Sequence, residues 1–423
     1  MSLLGHPEDH ATFRSVPRTG VIYVMGEAGA RGFRYGKADW ANLGQGAPET
    51  GSLPGADARL TSIQVDPSAN EYAPVGGLAE LREAVAHLYN VRFRKGMPSQ
   101  YKAENVAISA GGRVALTRIA ATLGNIHLGH VLPDYTAYEE LLDIFRAFVP
   151  IPIVLDRDDG FVLTPDRLRA EIVGKGLSAV LLSNPCNPTG QVVRGGALRA
   201  WLDIARKLSC ALIFDEFYSH YLYDAAAMRD GPAASACRYV EDVNQDPVVV
   251  VDGLTKNWRY PGWRIAWTVG PRDVIERLTS AGSFLDGGPS HLTQHAVLPL
   301  LDPDAADREA RAIQRAFGEK RELMLDRVRA MGMTLDAVPH GAFYCFACLD
   351  NLPEPLQDGD AFFRKALERR VIVVPGEFFD VNPGKRRSHI PSRLKHFVRL
   401  SFGPEAATVA EGLDRLDAMI REA

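Results

Sequence analysis

At 423 residues the chain is longer than one hydrophobic core usually serves, which points to two domains. Its 46% apolar and 24% charged residues are those of an ordinary globular protein, and a net charge of −4 with no basic arm argues against a nucleic-acid partner. No apolar run approaches the roughly 18–20 residues that a membrane helix needs, and the opening MSLLGHPEDHATFR has no charged stretch followed by an apolar one, so no signal peptide, no membrane and a cytoplasmic setting are expected.

Residues 1–50 are rich in Gly, Arg and aromatics with little periodicity. Gly26, Gly29 and Gly32 form a GxxGxxG, but no helix-forming stretch follows, so a dinucleotide turn is not expected. Tyr23, Phe33, Tyr35 and Trp40 could roof a pocket or simply pack. Residues 78–90 have the three-and-four spacing of a helix. Then VAISAGG and RVALTRIAATLG read as strand, glycine turn and helix. The same grammar recurs at 179–183 before NPCNPTG and a helix at 197–208, at 210–214 before DEFYSHY, and at 248–252 before GLTKNWRYPGWR. Short apolar runs alternating with helices predict an α/β fold with a mostly parallel sheet, whose ligands bind beyond the carboxyl ends of the strands.

Beyond about residue 310 the pattern changes. A long helix (308–331), strands at 333–337 and 341–348, a helix near 360–370, strands near 371–374 and 397–402 and a terminal helix at 405–421 predict a smaller α+β domain. The expected organisation is an N-terminal segment (1–50) joining the small domain, a large domain (51–310) and a C-terminal small domain (311–423). Five scattered cysteines argue against a disulfide framework. Cys345 and Cys348 form a CxxC on a strand-like run, where positions three apart face opposite ways. With no second pair to complete a zinc site, they read as structural, and no metal is expected.

The polar residues of interest all follow apolar runs. Gly111-Gly112-Arg113 opens a helix, where free N–H groups and the helix dipole can hold a phosphate, though many such turns only connect elements. Asn184 to Gly190 is a rigid turn presenting amides. Asp215 ends a buried run with Tyr218 three residues on. It could pair with a buried cation or, alternatively, cap a helix. Lys256 follows the run Val248–Val251 as a candidate nucleophilic amine, and Arg264 eight residues later can grip an anion. Phosphate cradle, aromatic face, carboxylate for a ring nitrogen, amine for an aldehyde and arginine for an anion together describe a pyridoxal phosphate site.

From about Asn42 to Phe402 the chain resembles the class I/II aminotransferases, fold-type I pyridoxal-phosphate enzymes related to aspartate and aromatic aminotransferases. The resemblance implies that Lys256, in LTKNWRYPGWR, is the Schiff-base lysine and proton shuttle. It implies that Asp215, in FDEFY, holds the ring nitrogen protonated, and that Tyr218 and Asn187 bond the ring's phenolic oxygen. Tyr135, in LPDYTAY, would stack on the ring. Gly111, Gly112, Arg113 and Arg264 would surround the phosphate, joined by Tyr72 of a partner subunit in a homodimer with shared sites. Arg399, in FVRLSFG, and Gly46, in NLGQGAPE, would meet the substrate α-carboxylate, and Asn187 would also bind substrate. The implied reaction moves an amino group between an L-amino acid and a 2-oxo acid.

Two departures stand out. Gly253 occupies a position that usually carries a hydroxyl for the phosphate, and Ala110-Gly111-Gly112 offers none; Arg113 and Thr255 are expected to compensate in part. The stretch SFLDGGPSHLTQHAV has Ser290 and His291 but no arginine for a second substrate carboxylate, which points away from a dedicated aspartate enzyme. Elimination, cyclisation or decarboxylation on the same scaffold is the alternative. A non-catalytic regulator is disfavoured because no basic helix-turn-helix extension precedes residue 40. His389 and His396, near Arg399 in sequence, read as surface or packing residues.

Overall fold

The fold was obtained as a computed structural model that describes Val16 and residues 20–37, 39–224 and 228–423. The stretch 1–14 read for a signal peptide lies outside the described residues. The strands in chain order are β1 (Ala41–Asn42), β2 (Val106–Ser109), β3 (His127–Leu132), β4 (Val149–Val154), β5 (Ala179–Ser183), β6 (Ala211–Asp215), β7 (Val248–Gly253), β8 (Ala266–Val269), β9 (Tyr344–Cys348), β10 (Val371–Ile372), β11 (Val374–Pro375) and β12 (Phe397–Ser401). The helices that matter to the site are α1 (Gly20–Ala30), α2 (Gly112–Thr122), α3 (Tyr138–Ile144), α4 (Pro303–Ala330) and α5 (Gly359–Glu368).

Seven strands form one sheet in the order β2-β8-β7-β6-β5-β3-β4. β8 runs antiparallel to its neighbours β2 and β7, and the remaining pairs are parallel. β7 is built from Val248 to Val251, a β-branched run that suits a strand buried on both faces. Alternation along the strands divides their side chains between two cores. Leu181, Ile213, Val249 and Val251 pack on one face, while Leu182, Phe214, Val248 and Val250 pack on the other. The register sets Ser183 opposite Asp215 and Asp215 opposite Val251. The segments that follow β2, β3, β5, β6 and β7 therefore emerge side by side at one sheet edge.

The C-terminal unit is a three-stranded antiparallel sheet in the order β11-β12-β9, packed into the same core as the first sheet face. β1 pairs in parallel with β10, fastening the N-terminal segment to this unit. α4 is one continuous helix through residues 310 and 311, so the expected boundary there falls inside a helix rather than in a linker.

Two local expectations are corrected. Residues 20–30 form α1 although the sequence around them lacks clear periodicity. Burial of Val24 and Ala28, with Tyr23 against Phe363 and Phe378, stabilises the helix despite Gly26 and Gly29 within it. The expected strand at 333–337 reduces to a single bridge between Thr334 and Cys348. Asp336 there turns out to meet Arg157 at 2.9 Å. All five cysteines are unpaired, and Cys345 and Cys348 lie buried in β9. Among the described residues no helix is long and apolar enough to cross a membrane.

Candidate active site

A cavity of about 410 Å³ opens where those strand ends converge, between the two units. Lys256 enters it from the turn after β7, and its Nζ donates to the carbonyl of Gly46. Burial pushes its ammonium down to about 7, helped by the charges of Arg399, Arg264 and Arg113 and opposed by Asp215. A lysine so placed is half neutral near pH 7 and able to act as a nucleophile.

Asp215 is the last residue of β6. Its Oδ2 accepts from Tyr138 Oη at 3.0 Å and its Oδ1 from Phe217 N at 3.4 Å. Burial raises its carboxyl to about 6, while those two donors and Lys256 hold it down. At pH 7 it is chiefly a buried anion, suited to a cationic ring nitrogen.

Tyr218 Oη lies 2.8 Å from Tyr344 Oη. Burial and the neighbouring ring raise the Tyr218 hydroxyl well above its usual range, and burial takes Tyr344 to about 12. Both are therefore neutral donors. Arg399, in the middle of β12, is fully buried. It donates through Nη1 to Asn187 Oδ1 at 2.9 Å and through Nη2 to Gly44 O at 2.5 Å, with its guanidinium carbon 4.2 Å from the Tyr344 ring centre. Its Nε has no partner among the described residues. A buried cation with a spare N–H is an incomplete anion site.

The opposite end of the cavity is built by the start of α2. Gly111 caps the helix with φ +94°, and a side chain there would overlap the Arg264 guanidinium. A Cβ at Gly112 would stand 2.5 Å from the Phe217 ring. The Gly112 and Arg113 N–H groups at the helix start have no intrahelical acceptor, so with Arg264 and Thr255 they form an anion cradle that requires both glycines.

Gly253 has a geometric cause. It pairs with Ala266 across β7 and β8, and a Cβ would lie 2.6 Å from both Ala266 Cα and Ile265 O. No serine fits without moving β8. Arg113 lines the cavity, but its Nε and Nη2 donate to Tyr135 Oη at 3.3 and 3.2 Å, so its side chain serves the aromatic residue. Gly46 is needed because a Cβ would come 2.7 Å from Tyr344 Oη.

Of the expected site residues, Lys256, Asp215, Tyr218, Tyr135, Asn187, Gly112, Arg113, Thr255, Arg264, Gly46 and Arg399 line this one cavity, and Gly111 stands directly behind Arg264. Tyr72 does not line it: the residue is 99% exposed. The N-terminal aromatics are not the roof. Tyr23 packs on Phe363 and Phe378, Phe33 packs on Tyr35 and Trp40, and Val21 is the α1 residue that reaches the cavity. His396 bonds Gln357 O at 2.9 Å, and His291 and His295 face one another at 3.2 Å away from the cavity.

Sequence reasoning missed Tyr138, Tyr344, Ser183 and Asp134. Asp134 is buried and accepts from Tyr135 N at 2.7 Å, Ser183 N at 3.0 Å and Ser183 Oγ, which joins the ends of β3 and β5. Tyr138 stands three residues after Tyr135, and Tyr344 lies on the strand read for its cysteines; spacing alone did not say which way either hydroxyl points.

Residues 38–416 match the model of the family described as aminotransferase class I and II. The probable aspartate/prephenate aminotransferase of Thermus aquaticus is 30% identical over 349 residues, covering 82% of each chain. The aspartate/prephenate aminotransferase of Thermus thermophilus is 29% identical over 357 residues, covering 84% of each. The structure of aspartate aminotransferase from Thermus thermophilus with maleate superposes with a TM-score of 0.76 at 25% identity, over 96% of this chain and 100% of that one. An aminotransferase structure from Mycobacterium tuberculosis superposes at 0.77 and 26% identity, over 96% and 98%. The fold, the lysine between a carboxylate and two arginine-lined ends, and the match along most of its length make this chain a member of the class I and II aminotransferases.

Proposed function

We propose that the cavity takes pyridoxal 5'-phosphate, with Lys256 as the amine that bonds its aldehyde. The observation that carries this reading is the shared placement of a half-neutral lysine and a buried, donor-supported carboxylate in one cavity with an anion cradle. The donor set fits the group. Asp215 suits the ring nitrogen, neutral Tyr218 and Asn187 suit the phenolic oxygen, Tyr135 offers a ring face, and the α2 start with Arg264 and Thr255 suits the phosphate. When bound, the cofactor supplies an electron-withdrawing ring that stabilises negative charge at the substrate Cα.

The chain's own residues then supply orientation and proton movement. Arg399, through its free Nε and the adjoining face of its guanidinium, would bind the α-carboxylate of the amino acid and fix which Cα bond faces the ring. Lys256 Nζ, half neutral near pH 7, would take the proton from the substrate Cα and deliver it to the cofactor carbon that carried the aldehyde. Tyr344 and Tyr218 keep their protons, so they bond oxygens without competing as bases. Asp215, chiefly ionised at pH 7, would face the ring nitrogen.

The substrate end supports a donor not restricted to aspartate. Val21 and Leu116 add apolar surface to the lining, beside Gln45 and Thr136. The Thermus relatives are named for both aspartate and prephenate. A homodimer is proposed because Tyr72 stands far out from its own cavity, and in the same segment Ile63 and Val65 are also exposed. Five unpaired cysteines suit a reducing, cytoplasmic setting.

The test loads the purified protein with pyridoxal phosphate and mixes it with a panel of amino acids. Conversion of the cofactor spectrum to the amine form with release of the 2-oxo acid is expected; ammonia release in its place would overturn transamination. Mixing Lys256→Ala and Tyr72→Ala proteins should restore partial activity, because one site of each hybrid dimer is intact. No recovery in demonstrated hybrids would mean that Tyr72 does not cross.

A further inference from the structure

The turn that carries Lys256 is fastened to both units by a residue that takes no part in the cavity. Arg259, three positions on, is 0% exposed and does not line it. Its backbone lies at φ 58°, a left-handed conformation that glycine adopts freely and other residues adopt at a cost. What the arginine gains there is reach. Its Nε donates to Glu309 Oε1 at 2.8 Å, and its Nη1 donates to Gly51 O at 2.6 Å and Glu49 O at 3.2 Å. Back along the turn, Arg259 N donates to Lys256 O at 3.0 Å, and Tyr221 Oη donates to the same carbonyl at 2.9 Å.

The three gripped groups belong to a seam. Glu309 lies on α4, the helix that runs from the large sheet's side into the C-terminal unit. Glu49 and Gly51 lie on the segment returning from the C-terminal unit, just past Gly46, whose carbonyl receives Lys256 Nζ. That segment is stitched along α4 by Arg308 to Asp57 at 2.6 and 2.7 Å, Arg315 to Pro54 O at 3.1 Å and Lys320 to Glu49 at 2.8 Å. Arg59 answers from the segment, donating to Trp258 O at 2.9 Å and Arg259 O at 2.8 Å. Arg259 is where the lysine turn joins this seam. The same segment that carries Glu49 and Gly51 carries Gly46, so the lysine turn and the Gly46 edge of the cavity share this seam.

We propose that Arg259 is a positioning residue for the amino transfer: its fork on Glu49, Gly51 and Glu309 sets where Lys256 stands against the substrate side of the cavity. This rests on Lys256 being the reacting amine. A lysine moving a proton must hold near-attack geometry, and a loosened turn spreads it over unproductive positions. An arginine is required in this role because only its planar fork reaches a carboxylate and two carbonyls together. A lysine would keep the cation and lose the fork.

The experiment uses the cofactor-loaded full chain and its Arg259→Lys and Glu309→Gln variants. Single-turnover mixing with an amino acid separates the maximal rate from the apparent dissociation constant. The pH midpoint of the lysine-linked cofactor absorbance and the melting temperature are read alongside. In Arg259→Lys the maximal rate should fall about tenfold or more and the absorbance midpoint should move, because lysine position governs both. The apparent dissociation constant should stay within about threefold, because Arg399 is untouched. Glu309→Gln should give a smaller loss of the same kind, since the carbonyl grip survives. A lowered melting temperature with unchanged maximal rate and midpoint would reduce Arg259 to bracing and overturn the proposal. If Arg259→Lys does not fold, an unchanged maximal rate in Glu309→Gln overturns it equally. Lys256→Ala is run first. A lysine-linked band surviving in that variant would show the premise to be wrong, which is a separate failure from an inert Arg259.

Discussion

Removing one hydroxyl, in Tyr138→Phe, tests how the buried carboxylate is kept ionised. Tyr138 Oη donates to Asp215 Oδ2 at 3.0 Å, and both residues are buried. A hydrogen bond to a charged group contributes about 1.5–3 kcal/mol. At about 1.36 kcal/mol per pKa unit, its loss raises the carboxyl by about one to two units. From about 6 in the native protein, Asp215 would then titrate at about 7–8. At pH 7 the ionised fraction falls from about nine-tenths to between about a half and a tenth. If the ionised form is the one that accepts the cofactor, the dissociation constant at pH 7 rises about two- to tenfold, and the deficit closes near pH 9. Fluorescence titration from pH 6 to 9 measures this, with circular dichroism to check the fold.

The cofactor-free protein offers a second reading of the same shift. The folded carboxyl sits above its unfolded value near 3.9, so it is protonated more readily in the fold than out of it. Its burial therefore weakens the fold as pH rises from about 4 to about 6, and no further above that. In Tyr138→Phe the loss continues to about pH 8 and amounts to about 1.5–3 kcal/mol more, visible in urea midpoints. A cofactor-binding deficit of equal size at pH 7 and pH 9, or no binding deficit at either, would refute the reasoning.

Three further outcomes are expected. Reductive trapping of an aldehyde on Lys256 in the cofactor-free protein should accelerate about tenfold from pH 6 to pH 8 and then level off, because its ammonium loses a proton at about 7; a midpoint near 10 would contradict this. Gly253→Ser should lower the melting temperature, with a cost of about 2–4 kcal/mol from the clash with Ala266 and Ile265. An unchanged melting temperature with tighter cofactor binding would show that a hydroxyl does fit there. Arg399→Lys should raise KM for the amino acid about a hundredfold while leaving cofactor affinity intact, since a point charge replaces a fork; an unchanged KM would remove Arg399 from carboxylate binding.

Much of the site was legible because it follows a local rule. Lys256, Asp215, Asn187 and Gly112 each stand just after an apolar run, and alternation with helices puts those runs in one parallel sheet. Arg399 was legible through family resemblance, since a lone arginine in FVRLSFG has no local signature. The rest was not legible, for reasons that differ. α1 buries Val24 and Ala28 and sets Tyr23 against Phe363 and Phe378, more than 300 residues away. Of the expected strand at 333–337 only Thr334 bridges to Cys348, while Asp336 meets Arg157, a partner far away in sequence. Gly253 read as a missing hydroxyl until β8 was seen pressed against it.

The amino-acid sequence by itself determined the alternation of strands and helices around the site, the glycines at the head of α2 and the lysine that follows β7. These depend on side-chain periodicity and backbone freedom within a few residues, and such preferences survive without any tertiary context. Only the folded structure decided what state those residues are in. Lys256 is half neutral and Asp215 largely ionised because burial, three converging arginines and the Tyr138 hydroxyl act on them together. These groups come from distant parts of the chain, and electrostatic energy in a poorly polarisable interior depends on distances that no local pattern contains.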